Sequence, residues 1–181
     1  MKLLPLAYVV LFTGCNPISD TPPASSAKTG SKMPVVQQPK VYPVTSRQQT
    51  PRTLFTTIGG ETVTLQQFAG QVVVLHLWAT WCKPCVREMP LLDHLAANMH
   101  SVKVVPVSVD IRPEQAATFF KQQLFQHLSA YHDLDGNLMR DLGAHALPMS
   151  FLMDRQGRIA AVFKGSVDWN SESIRTLLSG I

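Results

Sequence analysis

Val72-Val73-Val74-Leu75-His76-Leu77 runs straight into Trp78-Ala79-Thr80-Trp81-Cys82-Lys83-Pro84-Cys85, and the fold turns on that junction. The first stretch is short and almost continuously apolar, as expected of a strand buried on both faces. Beyond it, Met89, Leu92, Leu95, Ala96 and Met99 recur at helical spacing, which predicts a helix over Cys85–Met99. The two cysteines thus fall where a buried strand passes into the first turn of a helix. Thiols at this spacing can close a small disulfide. The helix dipole and its free N–H groups favour a thiolate there, lowering a thiol pKa from ~8.5 into roughly 3.5–7.5. Pro84 fits the first helical turn without removing a needed donor, and Lys83 adds a positive charge that favours the thiolate. A thiolate so placed attacks a partner disulfide, and the second thiol resolves the mixed intermediate. A structural zinc site, a purely structural disulfide and a copper site completed by a histidine are the alternatives. Zinc normally needs four closely spaced ligands, and no second CxxC or histidine pair follows. The strand–CxxC–helix context favours redox chemistry.

The flanking sequence supplies the rest of a sheet. Val102–Val109 reads as a second buried strand, in which Pro106 predicts a bulge or pairing on one side only. Pro113 opens a helix to about Leu124, with Ala116, Phe119, Phe120 and Leu124 inward. Asp135-Gly136 marks a turn, and Leu138–Leu142 a short helix stopped at Gly143. Ser150–Asp154 and Ile159–Lys164 are strands joined by a hairpin, and Asn170 is expected to cap a last helix over Ser171–Ser179. Upstream, Leu54–Thr57 and Thr62–Leu65 flank Ile58-Gly59-Gly60-Glu61, a hairpin signal. The order β-β-β-α-β-α-β-β-α predicts an α/β fold, a mixed sheet covered on both faces.

The chain has 181 residues, 45% hydrophobic and 15% charged, enough for one domain and a tail. Residues 1–50 carry five basic side chains and one acid, whereas residues 51–181 carry 11 of each. The folded part is therefore electrically balanced, which argues against a nucleic-acid partner. Met1-Lys2 precedes the apolar run Leu3–Phe12, too short to span a bilayer but suited to a secretory signal. Leu11-Phe12-Thr13-Gly14-Cys15 resembles a bacterial lipoprotein signal, which implies a signal over residues 1–14 and lipidation of Cys15. An ordinary cleaved signal followed by a free cysteine is the alternative. Asn16, where inner-membrane retention would use Asp, implies outer-membrane sorting by the same resemblance. Residues 15–50, with six prolines between Asn16 and Thr50, read as a disordered tether, leaving residues 51–181 as the domain.

Two segments carry a family resemblance. Trp78-Ala79-Thr80-Trp81-Cys82-Lys83-Pro84-Cys85-Val86-Arg87-Glu88-Met89-Pro90 closely resembles the active-site segment of the TlpA/ResA branch of thioredoxin-like proteins. Leu147-Pro148-Met149-Ser150-Phe151-Leu152-Met153-Asp154-Arg155-Gln156-Gly157 is similar to that branch's cis-proline loop, strand and turn. The likeness covers roughly residues 53–181 and implies a thioredoxin-like sheet with an N-terminal hairpin and a central inserted α/β element. It further implies that Cys82 is an exposed nucleophile and Cys85 the buried resolving thiol. Pro148 would be cis, with the Leu147 backbone free to pair with a bound client strand, and Trp81 would pack beside the disulfide. Glu88 stands where some members carry a buried acid that tunes the thiols; a solvated helix glutamate is the alternative. Two departures stand out: His76 occupies the place of thioredoxin's buried acid, and Met149-Ser150 replaces the more usual Thr-Thr. His76 is left outside the catalytic set.

The resemblance implies an exported, membrane-tethered thiol–disulfide oxidoreductase in the cell envelope, facing the periplasm. Its partners would be disulfide-containing client proteins of cytochrome c or copper-centre assembly, and a membrane thiol reductant as electron donor. No cofactor and no metal are expected. A non-catalytic docking or copper-handling module is the competing class. A peroxidase of the related redoxins would need a peroxidatic cysteine in a Pro-rich motif with a nearby threonine, and that motif is absent from the sequence.

Overall fold

The computed structural model describes residues 40–45 and 47–181, so the expected signal, Cys15 and most of the expected tether lie outside the described residues. The elements are β1 (Lys40–Pro43), β2 (Phe55–Thr57), β3 (Thr62–Val63), a 3-10 turn (Leu65–Phe68), β4 (Val72–Trp78) and α1 (Lys83–Asn98), followed by β5 (Val102–Ser108) and α2 (Pro113–Gln123). β6 (Tyr131–His132), α3 (Asn137–Asp141), β7 (Met149–Met153), β8 (Ile159–Lys164) and α4 (Glu172–Ser179) complete the chain. The eight strands form one mixed sheet in the order β1-β8-β7-β4-β5-β6-β2-β3. No described helix is long and apolar enough to cross a membrane.

β4 occupies the middle and explains the unbroken apolar run. It pairs parallel with β5 and antiparallel with β7, and all its residues are buried. Because side chains alternate across a strand, Val72, Val74 and Trp78 enter one core with Cys85, Met89 and Leu92 of α1, Ala116 of α2, and Ile174 and Leu178 of α4. Val73, Leu75 and Leu77 enter the opposite core with Phe55, Leu65, Tyr131 and Leu138. Both faces are thus covered, as the element order predicts. β2 and β3 form the expected hairpin, closed by the Thr57 N–H to Glu61 C=O bond of 2.8 Å. The central α/β element is α2 with β6, which lies parallel to β5. Pro106 behaves as predicted: β5 pairs with β4 along its length, whereas β6 joins it only at Val107 and Ser108.

Three expectations need correction. The tether does not extend to residue 50, because β1 pairs with β8 through Lys40↔Lys164 to Pro43↔Ala161. Beyond it, the Thr50 N–H donates to Gly157 C=O at 3.1 Å, and Arg47 Nη1 to Asp154 Oδ2 at 3.1 Å. Backbone pairing against an open sheet edge needs no apolar side chains, so composition alone misses it. Leu124 is not on the inner face of α2: it adopts φ 54° as the left-handed C-cap, and its side chain is 71% exposed. Asn170 does not cap α4, since Ser171 takes that place and the Asn170 Oδ1 contacts His94 Nδ1 at 2.9 Å.

Candidate active site

Cys82 is the N-cap of α1 and Cys85 lies in its first turn, and the two are joined as a disulfide with Cα atoms 5.3 Å apart. The turn entering the helix is closed by the Cys82 N–H to Ala79 C=O bond of 3.1 Å. The Cys85 N–H donates to Cys82 Sγ at 3.3 Å. That donor is one of the N–H groups a helix start leaves without a backbone acceptor. In the reduced protein it stabilises negative charge on Cys82 more than on Cys85, so the first sulfur is the better thiolate. Cys85 is fully buried, as expected, but Cys82 is only 5% accessible and is not the openly exposed sulfur expected of it. Trp81, the residue before Cys82, stands 67% exposed.

The Leu147–Pro148 peptide is cis, as expected. It leads directly into β7, whose Met149 lies opposite Leu77 of β4, at the sheet end that carries the disulfide. The Pro148 C=O accepts the Gly165 N–H at 3.0 Å, and no described hydrogen bond engages the Leu147 backbone. An unpaired backbone beside the disulfide can add a strand-like contact to an extended peptide.

Glu88, three residues after Cys85 and on the same helical face, is buried. Its Oε2 accepts the Trp169 Nε1–H at 2.9 Å, while Oε1 finds no partner of bonding geometry. Burial pushes its pKa up to about 7, a rise only partly offset by the Trp169 donor, by Ser166 and Val167, and by the Arg87 charge. A carboxyl with that pKa exchanges protons readily near neutrality. Trp169 is the contributor that sequence reasoning missed; it is 81 residues away and nothing in the local pattern marks it. His76, on the same sheet face, is buried and stacks edge-on to Trp169 with ring centroids 6.5 Å apart. Its Nδ1 lies 2.8 Å from Ser150 Oγ and its Nε2 is unpartnered. Burial lowers its pKa to about 3, so the imidazole is neutral. Among the described residues, no group of three or more His, Cys, Asp or Glu side chains is arranged to share a metal ion.

The Redoxin family model matches residues 28–178. The thiol-disulfide oxidoreductase ResA of Bacillus thuringiensis subsp. konkukian is 31% identical over 120 residues, covering 65% of this chain and 69% of that protein. The thiol:disulfide interchange protein DsbE of Xylella fastidiosa is 32% identical over 100 residues, covering 55% of this chain and 50% of its own. Among solved structures, the one assigned to DsbE of Chlorobium tepidum superposes with a TM-score of 0.67 at 26% identity, over 74% of this chain and 95% of that one. With a CxxC disulfide at the head of α1, a cis-proline loop at the same end of the sheet and these relatives, the chain belongs to the redoxin family and is a thiol–disulfide oxidoreductase of the ResA/DsbE type.

Proposed function

We propose that the chain is exported, anchored through a lipid on Cys15 to an envelope membrane, the outer one favoured, and reduces disulfides of client proteins facing the periplasm. The clients are those of cytochrome c or copper-centre assembly, and a membrane thiol reductant returns the electrons. The observation that carries the redox assignment is the Cys85 N–H donating to Cys82 Sγ at the N-terminus of α1. The likeness of Leu11–Cys15 to a lipoprotein signal supports the placement, and the relatives' names, thiol-disulfide oxidoreductase and thiol:disulfide interchange protein, support disulfide-containing clients.

In the reduced protein, the Cys82 thiolate attacks one sulfur of a client disulfide and expels the other as a thiolate. The client chain then lies along the unpaired Leu147 backbone, beside Pro148 and Trp81. Ionised Glu88 takes the Cys85 proton, and the Cys85 thiolate attacks the Cys82 sulfur. The second client sulfur leaves, two electrons have passed to the client, and Cys82–Cys85 is oxidised. The first test is the reduction potential of the pair, by equilibration with glutathione or dithiothreitol and alkylation of free thiols. A value of about −270 mV or lower is expected of a reductase, whereas one near −120 mV identifies an oxidant and overturns the direction assigned. Cys82→Ala should abolish turnover; turnover that survives it would overturn the catalytic assignment.

A further inference from the structure

The loop after β5 meets the loop after β4 through a buried carboxylate. Asp110 Oδ1 and Oδ2 each lie 3.1 Å from the Thr80 N–H, and Oδ1 accepts the Thr80 hydroxyl at 2.8 Å. Oδ2 accepts the Ser108 hydroxyl at 2.7 Å, and the Asp110 C=O accepts the His132 Nε2–H at 2.7 Å. Thr80 and Asp110 are each followed by a large apolar side chain in solvent: Trp81 is 67% exposed and Ile111 is 86% exposed. Lone exposed apolar residues are ordinary. Here two are presented by adjacent loops whose backbones are pinned, so local collapse cannot hide them. Beside them runs a groove of about 730 Å³ lined by Thr80, Arg112, Gln115 and Phe119. The whole assembly lies at the carboxyl ends of the parallel strands β4 and β5, where open α/β sheets place their ligands.

We propose that Ile111 is a client-selecting residue: together with Trp81 it receives an apolar side chain next to the client's cysteine, and the groove along α2 receives the extended chain that follows. This rests on the reductase reading above. Disulfide exchange forces the client against Cys82, and Trp81 is its immediate neighbour, so the lip continues a contact that the chemistry already requires. The occupant is an extended peptide with an apolar residue adjoining its cysteine. Arg112, Glu114 and Gln115 along the groove offer both signs of charge and an amide to its polar backbone.

The test uses the reduced full chain and two synthetic octapeptide disulfides, one with leucine on each side of its cysteine and one with serine there. Covering one aliphatic side chain corresponds to about a 10-fold gain, so wild type is expected to show second-order rate constants for single-turnover reduction in a ratio of about 10 in favour of the leucine peptide. Ile111→Ser should bring that ratio close to 1, and Ile111→Val should retain most of it. A wild-type ratio near 1, or a ratio that Ile111→Ser leaves unchanged, overturns the assignment of Ile111 while leaving the reductase reading in place. Failure of wild type to reduce either peptide overturns the reductase reading itself.

Discussion

His76 and Ser150 face each other across β4 and β7, and their side chains meet with Nδ1 2.8 Å from Oγ. They are two of the positions at which the sequence departs from its family pattern, and the fold makes them one cross-strand pair. The hydroxyl satisfies an imidazole that would otherwise have both nitrogens orphaned in an apolar core. Removing it with Ser150→Ala should cost about 1–3 kcal/mol, the usual penalty for stranding a buried polar group. Replacing both, as His76→Leu with Ser150→Ala, should recover most of that loss. Urea unfolding of the two variants against wild type measures the difference.

Stability should be nearly independent of pH between about 4.5 and 6.5, because two buried groups oppose each other there. The Glu88 pKa rises from 4.5 to about 7 on folding, so its contribution is complete below 4.5 and is lost as pH rises through 7. The His76 pKa falls from 6.5 to about 3 on folding, so its contribution is complete above 6.5 and is lost as pH falls through 3. Glu88→Gln should therefore make stability climb with pH across this window, and His76→Asn should make it fall. Unfolding free energies at half-unit pH steps check both signs; a flat profile in either variant would remove from the balance the group that variant retains.

The same carboxyl should govern the resolving step. Glu88→Gln removes the acceptor assigned to the Cys85 proton, so decay of a Cys82 mixed disulfide should slow by about 10²-fold, the lower range for a lost general base. The wild-type rate should rise with pH and level off above about 7, where Glu88 is ionised. Quenched-flow alkylation of the mixed disulfide with glutathione reads the rate.

Asp110 holds the turn that presents Cys82, so its loss should act on both stability and chemistry. Asp110→Ala strands the Thr80 N–H, the Thr80 hydroxyl and the Ser108 hydroxyl, and should cost about 2–4 kcal/mol. With the turn free, the Cys85 N–H no longer addresses Cys82 Sγ steadily, and the Cys82 thiol pKa should rise. The pH profile of Cys82 alkylation separates this effect from a simple loss of stability.

β1 shields one edge of the sheet, and an unshielded edge is a template for association. A chain begun at Gln48 lacks β1 and exposes β8; it should associate with rising concentration. A chain begun at Val36 keeps β1 and should not. Sedimentation velocity at several concentrations distinguishes them.

What the sequence made legible was what side chains announce locally. The apolar run of β4, the helical period of α1, the Gly-Gly hairpin and the CxxC between strand and helix all appear where expected, because each signal lies within one element. The cis-Pro148 loop was legible through the family likeness. What escaped notice depends on partners far along the chain. β6 has only two residues, and backbone pairing with β5 and β2 defines it. The burial of Glu88 requires Trp169, which arrives from the loop before α4.

The register of β1 has a mechanical consequence. Lys40 lies opposite Lys164, and the next residue, Gly165, donates its N–H to the carbonyl of Pro148. Lys40, the first residue of β1, therefore lies at the sheet end that bears the disulfide, whereas Gly157 and Arg158 mark the opposite end. Load applied at Lys40 enters the sheet through β1 at the same end as the redox site. The point of attachment and the point of chemistry share one end of the molecule.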